Sequence, residues 1–142
     1  MAFIRLGAAL LGWFFGFFLG ASLLEVSRVT PVSNQVLGYA WALVRATRPG
    51  AKEAPDFVNK WINWGAGPRG VLTLVTCAKA RAILYGRYHA TIADVQAVAK
   101  PALRHRIAGN YAAQAHGLNS EKLIDMLFEA VPADRQYEKP AA

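Results

Sequence analysis

Arg69 is the residue with the most chemistry open to it. It closes the stretch Trp64-Gly65-Ala66-Gly67-Pro68-Arg69, a glycine-rich turn that feeds a proline. The proline starts a helical run that continues to Tyr85. Gly67 can serve as the N-cap, and Pro68 suits the first helical position, where a missing N–H costs nothing. Arg69 then sits in the first turn, where its positive charge opposes the helix dipole. It gains nothing there from its own helix. Two readings are open: it is placed to meet an anion, or it is an ordinary surface arginine.

A second basic group, Arg104-His105-Arg106, has three readings. The plainest is a solvated helix face. The others are contact with nucleic-acid phosphates and contact with an acidic partner subunit. The aromatic interleaving that would support base stacking is lacking. Machinery for a complete reaction is not visible. No glycine is followed by lysine anywhere, so there is no GxxxxGK[ST] loop; no GxGxxG is read behind a predicted strand, and GxSxG does not occur. Carboxylates are sparse, and no strand ends in an Asp-Glu pair that could hold magnesium. Cys77 is the only cysteine, which excludes an intrachain disulfide and a Cys/His zinc site. The histidines His89, His105 and His116 are scattered and read as surface or structural.

The elements that must position Arg69 come from a chain of 142 residues, enough for one small domain. With 54% hydrophobic and 18% charged residues it is not a disordered chain. Its net charge of +7 admits nucleic acid, anionic lipid or nucleotide phosphates as partners. Part of the apolar content lies in Leu6 to Leu24, which carries no charged side chain. A helix of that length spans roughly 28 Å, about the hydrocarbon thickness of a bilayer. Gly12, Gly16 and Gly20 fall four apart, a doubled GxxxG suited to close helix packing. The segment reads as a transmembrane anchor, a signal peptide with Gly20-Ala21-Ser22 as its small residues, or a translation or gene-fusion scar. Flanking charges barely set an orientation.

Helical spacing organises the remainder of the chain. Ser33 and Asn34 cap a helix through about Ala46, and Thr47 to Pro55 is a loop. Asp56 to Asn63 predicts a short helix with Phe57, Trp61 and Ile62 inward. On the long helix from Pro68, the stripe Val71, Leu72, Val75, Ala78, Ala82 and Ile83 faces the core, and Gly86 falls at the C′ position. Thr91 with Asp94 makes a capping-box-like start to the next helix. Pro101 opens a further short helix through Ile107, and Tyr111-Ala112-Ala113 is a candidate helical turn. A last helix, capped by Asn119 or Ser120, shows Leu123, Ile124, Leu127, Phe128 and Val131, and Pro132 stops it. The reading is all-α: an apolar segment over 1–25, a bundle of five or six short helices over 29–132, and a frayed tail over 133–142.

Four ordered motifs give this bundle a resemblance. Val44-Arg45-Ala46-Thr47-Arg48-Pro49 comes first, then Trp64-Gly65-Ala66-Gly67-Pro68-Arg69. Ala78-Lys79-Ala80-Arg81-Ala82 with Gly86-Arg87-Tyr88 is third, and Pro101-Ala102-Leu103-Arg104-His105-Arg106-Ile107 is last. In order and spacing they resemble the C-terminal helical lid of MoxR-type AAA+ ATPases, from about Val29 to Pro132. The resemblance implies that Arg69 is the sensor-2 arginine, which reaches nucleotide phosphates from the lid, supported by Gly65, Gly67 and Pro68. It implies ATP-dependent, chaperone-like remodelling, hexameric rings and von Willebrand factor A-type partner proteins. Two departures stand out. Gly70 replaces the usual alanine, and the Walker A, Walker B and sensor-1 elements are not in this sequence.

The expectation is therefore a lid without ATP hydrolysis of its own. It binds no cofactor alone, and ATP with magnesium only with an AAA+ core supplied in trans. Its partners would be that core or other MoxR-type subunits, on the cytoplasmic face. The alternative is a membrane-anchored module, held through residues 6–24, that docks on an AAA+ partner or its client. A basic nucleic-acid-binding domain is the least favoured reading.

Overall fold

The structure, a computed structural model, describes residues 30–138. The apolar segment 6–24, with Gly12, Gly16 and Gly20, lies outside the described residues, so the membrane reading falls outside them too. Among the described residues no helix is long and apolar enough to cross a membrane.

Among the described residues six helices carry the architecture. They are α1 (Asn34–Ala46), α2 (Asp56–Trp61), α3 (Pro68–Leu84), α4 (Ile92–Leu103), α5 (Tyr111–Ala115) and α6 (Ser120–Ala130). The starts obey local chemistry. Ser33, Thr91, Asn110 and Asn119 each accept a backbone N–H of the first turn of the helix they precede. α3 and α4 form the main pair, with α1 across both and α6 against α4. Tyr39, Leu43, Leu74, Val95, Leu103, Leu123, Ile124 and Leu127 are fully buried between them.

Four expectations are corrected. Helix α2 stops at Trp61, because Ile62–Trp64 is a strand, β1. It pairs antiparallel with β2, Ala108–Gly109, in the register Ile62↔Gly109 and Trp64↔Ala108. The fold is thus mostly helical with one short ladder. The ladder is too short for periodicity to reveal, and it forms only because tertiary packing brings its halves together. On α3, the inward residue is Leu74, fully buried, while Leu72 is 69% exposed. The buried stripe is Gly70, Val71, Leu74, Ala78 and Ala82, a regular helical face on which Leu72 has no place.

Pro101 does not open a new helix. Helix α4 runs through it to Leu103, although the proline forgoes its N–H bond and its ring crowds the carbonyl of Ala97. Arg104 to Arg106 consequently form a turn rather than a helix face. Finally, the tail is held as far as it is described. Tyr137 N donates to Gln35 Oε1 (2.7 Å), Gln35 Nε2 donates to Arg135 O (2.7 Å), and the Tyr137 ring meets Tyr39 edge-on at 5.4 Å. These contacts anchor it on α1, which its polar composition did not suggest.

The far end of α3 closes on a buried carboxylate. Gly86 (φ 68°) takes the left-handed conformation after the helix, so Gly86 N reaches Ile83 O and Arg87 N reaches Ala82 O. That turn delivers Arg87 to Asp94. Arg87 donates twice to the Asp94 carboxylate, at 2.6 Å each, and Arg81 adds a third contact. Thr91 donates its N–H (2.9 Å) and its hydroxyl (2.8 Å) to the same group, completing the capping box. Asp94 is wholly buried, and the paired hydrogen bonds from Arg87, with those of Thr91 and Arg81, hold its carboxyl well below the usual carboxylate range.

Candidate functional site

Arg69 is where the sequence places it, in the first turn of α3 behind Gly67 and Pro68. Gly67 is the N-cap with extended backbone, and it supplies no side-chain cap. The turn before it is fixed from behind. Thr47, fully buried, accepts Ala66 N on its hydroxyl (2.8 Å) and donates that hydroxyl to Val44 O (2.6 Å). Arg48 Nε donates to Ala66 O at 2.9 Å. A Cβ on Gly65 would fall 2.2 Å from the Thr47 carbonyl oxygen, so only glycine permits this approach. The first two motifs are therefore two halves of one joint. Gly70 has a packing reason as well: a Cβ there would meet Ala66 at 3.3 Å and Leu103 at 3.4 Å.

A cleft of about 680 Å³ opens beside this joint. One wall is Trp64, Gly65 and Gly67 to Gly70, and the other is Arg104 to Ala108. The β1–β2 ladder sets the walls side by side, since Trp64 pairs with Ala108. Arg69 is exposed and its side chain has no ion pair or hydrogen bond among the described residues. Trp64 stands 73% exposed at the rim.

Arg106 is half-buried and braced. Its Nη2 donates to Thr73 Oγ1 (3.3 Å), its Nη1 donates to Ala102 O (3.4 Å), and Nη1 also contacts His105 Nε2. Thr73 Oγ1 in turn donates to Arg69 O at 2.9 Å, so one hydroxyl ties the start of α3 to the facing turn. Arg104 reaches only Glu121, at 3.5 Å on the surface.

Among the described residues none that lines the cleft is acidic. Three arginines line it, and among the described residues the one carboxylate they meet is Glu121, at 3.5 Å from Arg104, an arrangement that favours an oxyanion over a cation. Among the described residues no group of three or more His, Cys, Asp or Glu could hold a metal ion.

Arg69 was legible from its own helix start. The placement of Arg104 and Arg106 against it was not, because the two stretches are more than thirty residues apart and meet only through the ladder. The plainest reading of that cluster, a solvated helix face, gives way to one wall of a cleft. Thr47, Arg48 and Thr73, which hold the walls, carry no local signal of that role.

The geometry has a counterpart among known proteins. Residues 57–126 match the family model described as the AAA lid domain. Over this stretch the chain is similar to AAA lid domains. Over about three quarters of its length the chain is homologous to MoxR chaperones. It is 29% identical over 107 residues to Chaperone MoxR1 of Mycobacterium tuberculosis, covering 75% of this chain and 28% of that protein. It is 30% identical over 112 residues to Protein MoxR of Methylorubrum extorquens, covering 76% of this chain and 32% of that protein. A crystal structure of a candidate ATPase from Cytophaga hutchinsonii superposes with a TM-score of 0.70 at 30% identity, over 75% of this chain and 32% of that one. The chain thus spans about a third of the length of the proteins it matches.

Proposed function

We propose that this chain supplies the lid half of a nucleotide site, with Arg69 as the arginine that reaches the phosphates. The observation that carries the reading is Arg69 itself. It is exposed, lacks a side-chain partner among the described residues, and stands at the rim of a basic cleft at the start of α3, in a stretch similar to AAA lid domains. A guanidinium held there stabilises negative charge on transferring phosphate without supplying a base or a nucleophile.

Magnesium and the attacking water would be held by a P-loop core acting in trans, because the cleft has no carboxylate for either task. The chain alone would not hydrolyse ATP. Its partners, by the same resemblance, are AAA+ subunits in a ring and a von Willebrand factor A-type protein, and its role is chaperone-like remodelling. Docking as an interaction module is the second reading. It is favoured by Leu84, Tyr85 and Tyr88, exposed by 70%, 68% and 90% beyond the cleft.

The test adds the full chain to a MoxR-type P-loop core deprived of its own lid and monitors phosphate release. Stimulation by the wild-type chain that disappears with Arg69→Ala is expected. Equal stimulation by both chains, or none by either, would overturn the lid reading.

A further inference from the structure

We propose that the cleft is a two-arginine oxyanion site in its own right, in which Arg106 is a fixed second ligand for a condensed phosphate chain and Arg69 is the mobile one. The proposal deepens the functional reading above and rests on it only for which molecule carries the phosphate.

The two arginines differ in how they are held. Arg106 donates hydrogen bonds to Ala102 O and Thr73 Oγ1 and touches the His105 ring, which together aim its planar fork. A guanidinium has five N–H donors, so at least two remain for a ligand. Arg69 spends none of its side-chain donors among the described residues.

Thr73 couples them, accepting from Arg106 while donating to the Arg69 carbonyl. Arg104 lines the same cleft, and only the long contact to Glu121 offsets its charge. Like charges brought together with no carboxylate lining the cleft repel, and an anion of several charges relieves that repulsion. Arginine forks match phosphate oxygens bidentately, so a chain of linked phosphates can engage both at once. A cleft of about 680 Å³ lies within the size range of small-molecule sites. The surface pair Arg45–Glu53 shows the contrast, an arginine already neutralised outside this cleft.

The experiment is isothermal titration of the full chain with inorganic tripolyphosphate, ATP and adenosine in parallel. It is run at physiological ionic strength, where surface charges are screened over about 8 Å. Saturable binding of a phosphate chain is expected. Arg106→Gln and Arg69→Gln should each weaken it by about tenfold or more, as for loss of a charge-assisted hydrogen bond, while Arg45→Gln leaves it unchanged. Arg106→Lys, which keeps the charge and loses the fork, should fall between.

Arg69 is exposed and spends no side-chain hydrogen bond among the described residues, so the Arg69→Gln result stands even if the Arg106 variants fold poorly. Tighter binding of ATP assigns the anion to a nucleotide, and tighter binding of tripolyphosphate assigns it to an inorganic chain. Either supports the site. The absence of saturable binding, equal losses in the Arg45 and Arg106 variants, no loss in Arg69→Gln, or adenosine binding as tightly as ATP would overturn it. Dependence on Arg69 with none on folded Arg106→Gln would remove Arg106 and leave the lid reading standing. No core protein is present, so failure of trans-activation does not bear on the outcome.

Discussion

Two groups of arginines lie at opposite ends of α3, and they are put to opposite uses. At the C-terminal end, Arg81 and Arg87 close on Asp94, which is buried and meets every donor within reach. At the N-terminal end, Arg69, Arg104 and Arg106 share a cleft that no carboxylate lines. The first group is a finished interaction that holds α3 to α4. The second has only the long Arg104–Glu121 contact among the described residues, and the occupant proposed for it is an anion. An arginine in a helical domain is therefore read by what neutralises it. Where the chain supplies the carboxylate the arginine is structural, and where it does not the arginine is available for binding.

Removing the carboxylate should break the finished end most severely. Asp94→Ala leaves Arg81 and Arg87, each about a third exposed, without their carboxylate and deletes a capping box. About 3 kcal/mol of stability should be lost in chemical denaturation. Anion binding at the other end should persist under conditions where the variant is folded.

Next in size is Gly65→Ala, whose methyl collides with the Thr47 backbone. Overpacking of this kind costs about 1–3 kcal/mol. Unlike Asp94→Ala, it should also displace the start of α3, so titration should report lost phosphate affinity together with lost stability.

Acid separates the two ends further. Asp94 stays ionised in the fold to lower pH than in the unfolded chain, so the unfolded chain takes up the proton first. The stability it contributes is complete above the unfolded carboxylate value of about 3.9 and is lost as pH falls through the lower folded value. Asp94→Asn, which does not titrate, should flatten the acid limb of a stability–pH curve below about pH 4. The arginine cleft contributes nothing to that limb.

The smallest structural effect is expected at the N-terminal end of α3. Gly67 has open space around it, and an aspartate there could cap α3. Gly67→Asp should raise stability by a few tenths of a kcal/mol and at the same time weaken phosphate binding, because its charge enters the cleft. Arg69→Gln should change stability by less than about 0.5 kcal/mol, measured by the same denaturation.

Legibility tracked the range of the interaction. Caps at Ser33, Thr91 and Asn119 are settled by atoms within one helical turn, and their residue types announce them. Arg69 belongs with these, because Pro68 fixes its position in the first turn. The face of α3 was harder, since Leu72 and Leu74 are equally apolar and only the packing of α1 and α4 separates them. The β1–β2 ladder left no periodic trace, and Pro101 suggested a break where the helix continues.

The sequence by itself determined a small helical domain, a resemblance to MoxR-type lids and one arginine presented at a helix start. These are matters of residue type and short spacing. Tertiary structure alone decided that Asp94 neutralises Arg81 and Arg87 while Arg106 arrives opposite Arg69. The reason is physical. A local pattern specifies where a side chain leaves its own helix, and the charge it meets is set by segments that reach it only when the core closes.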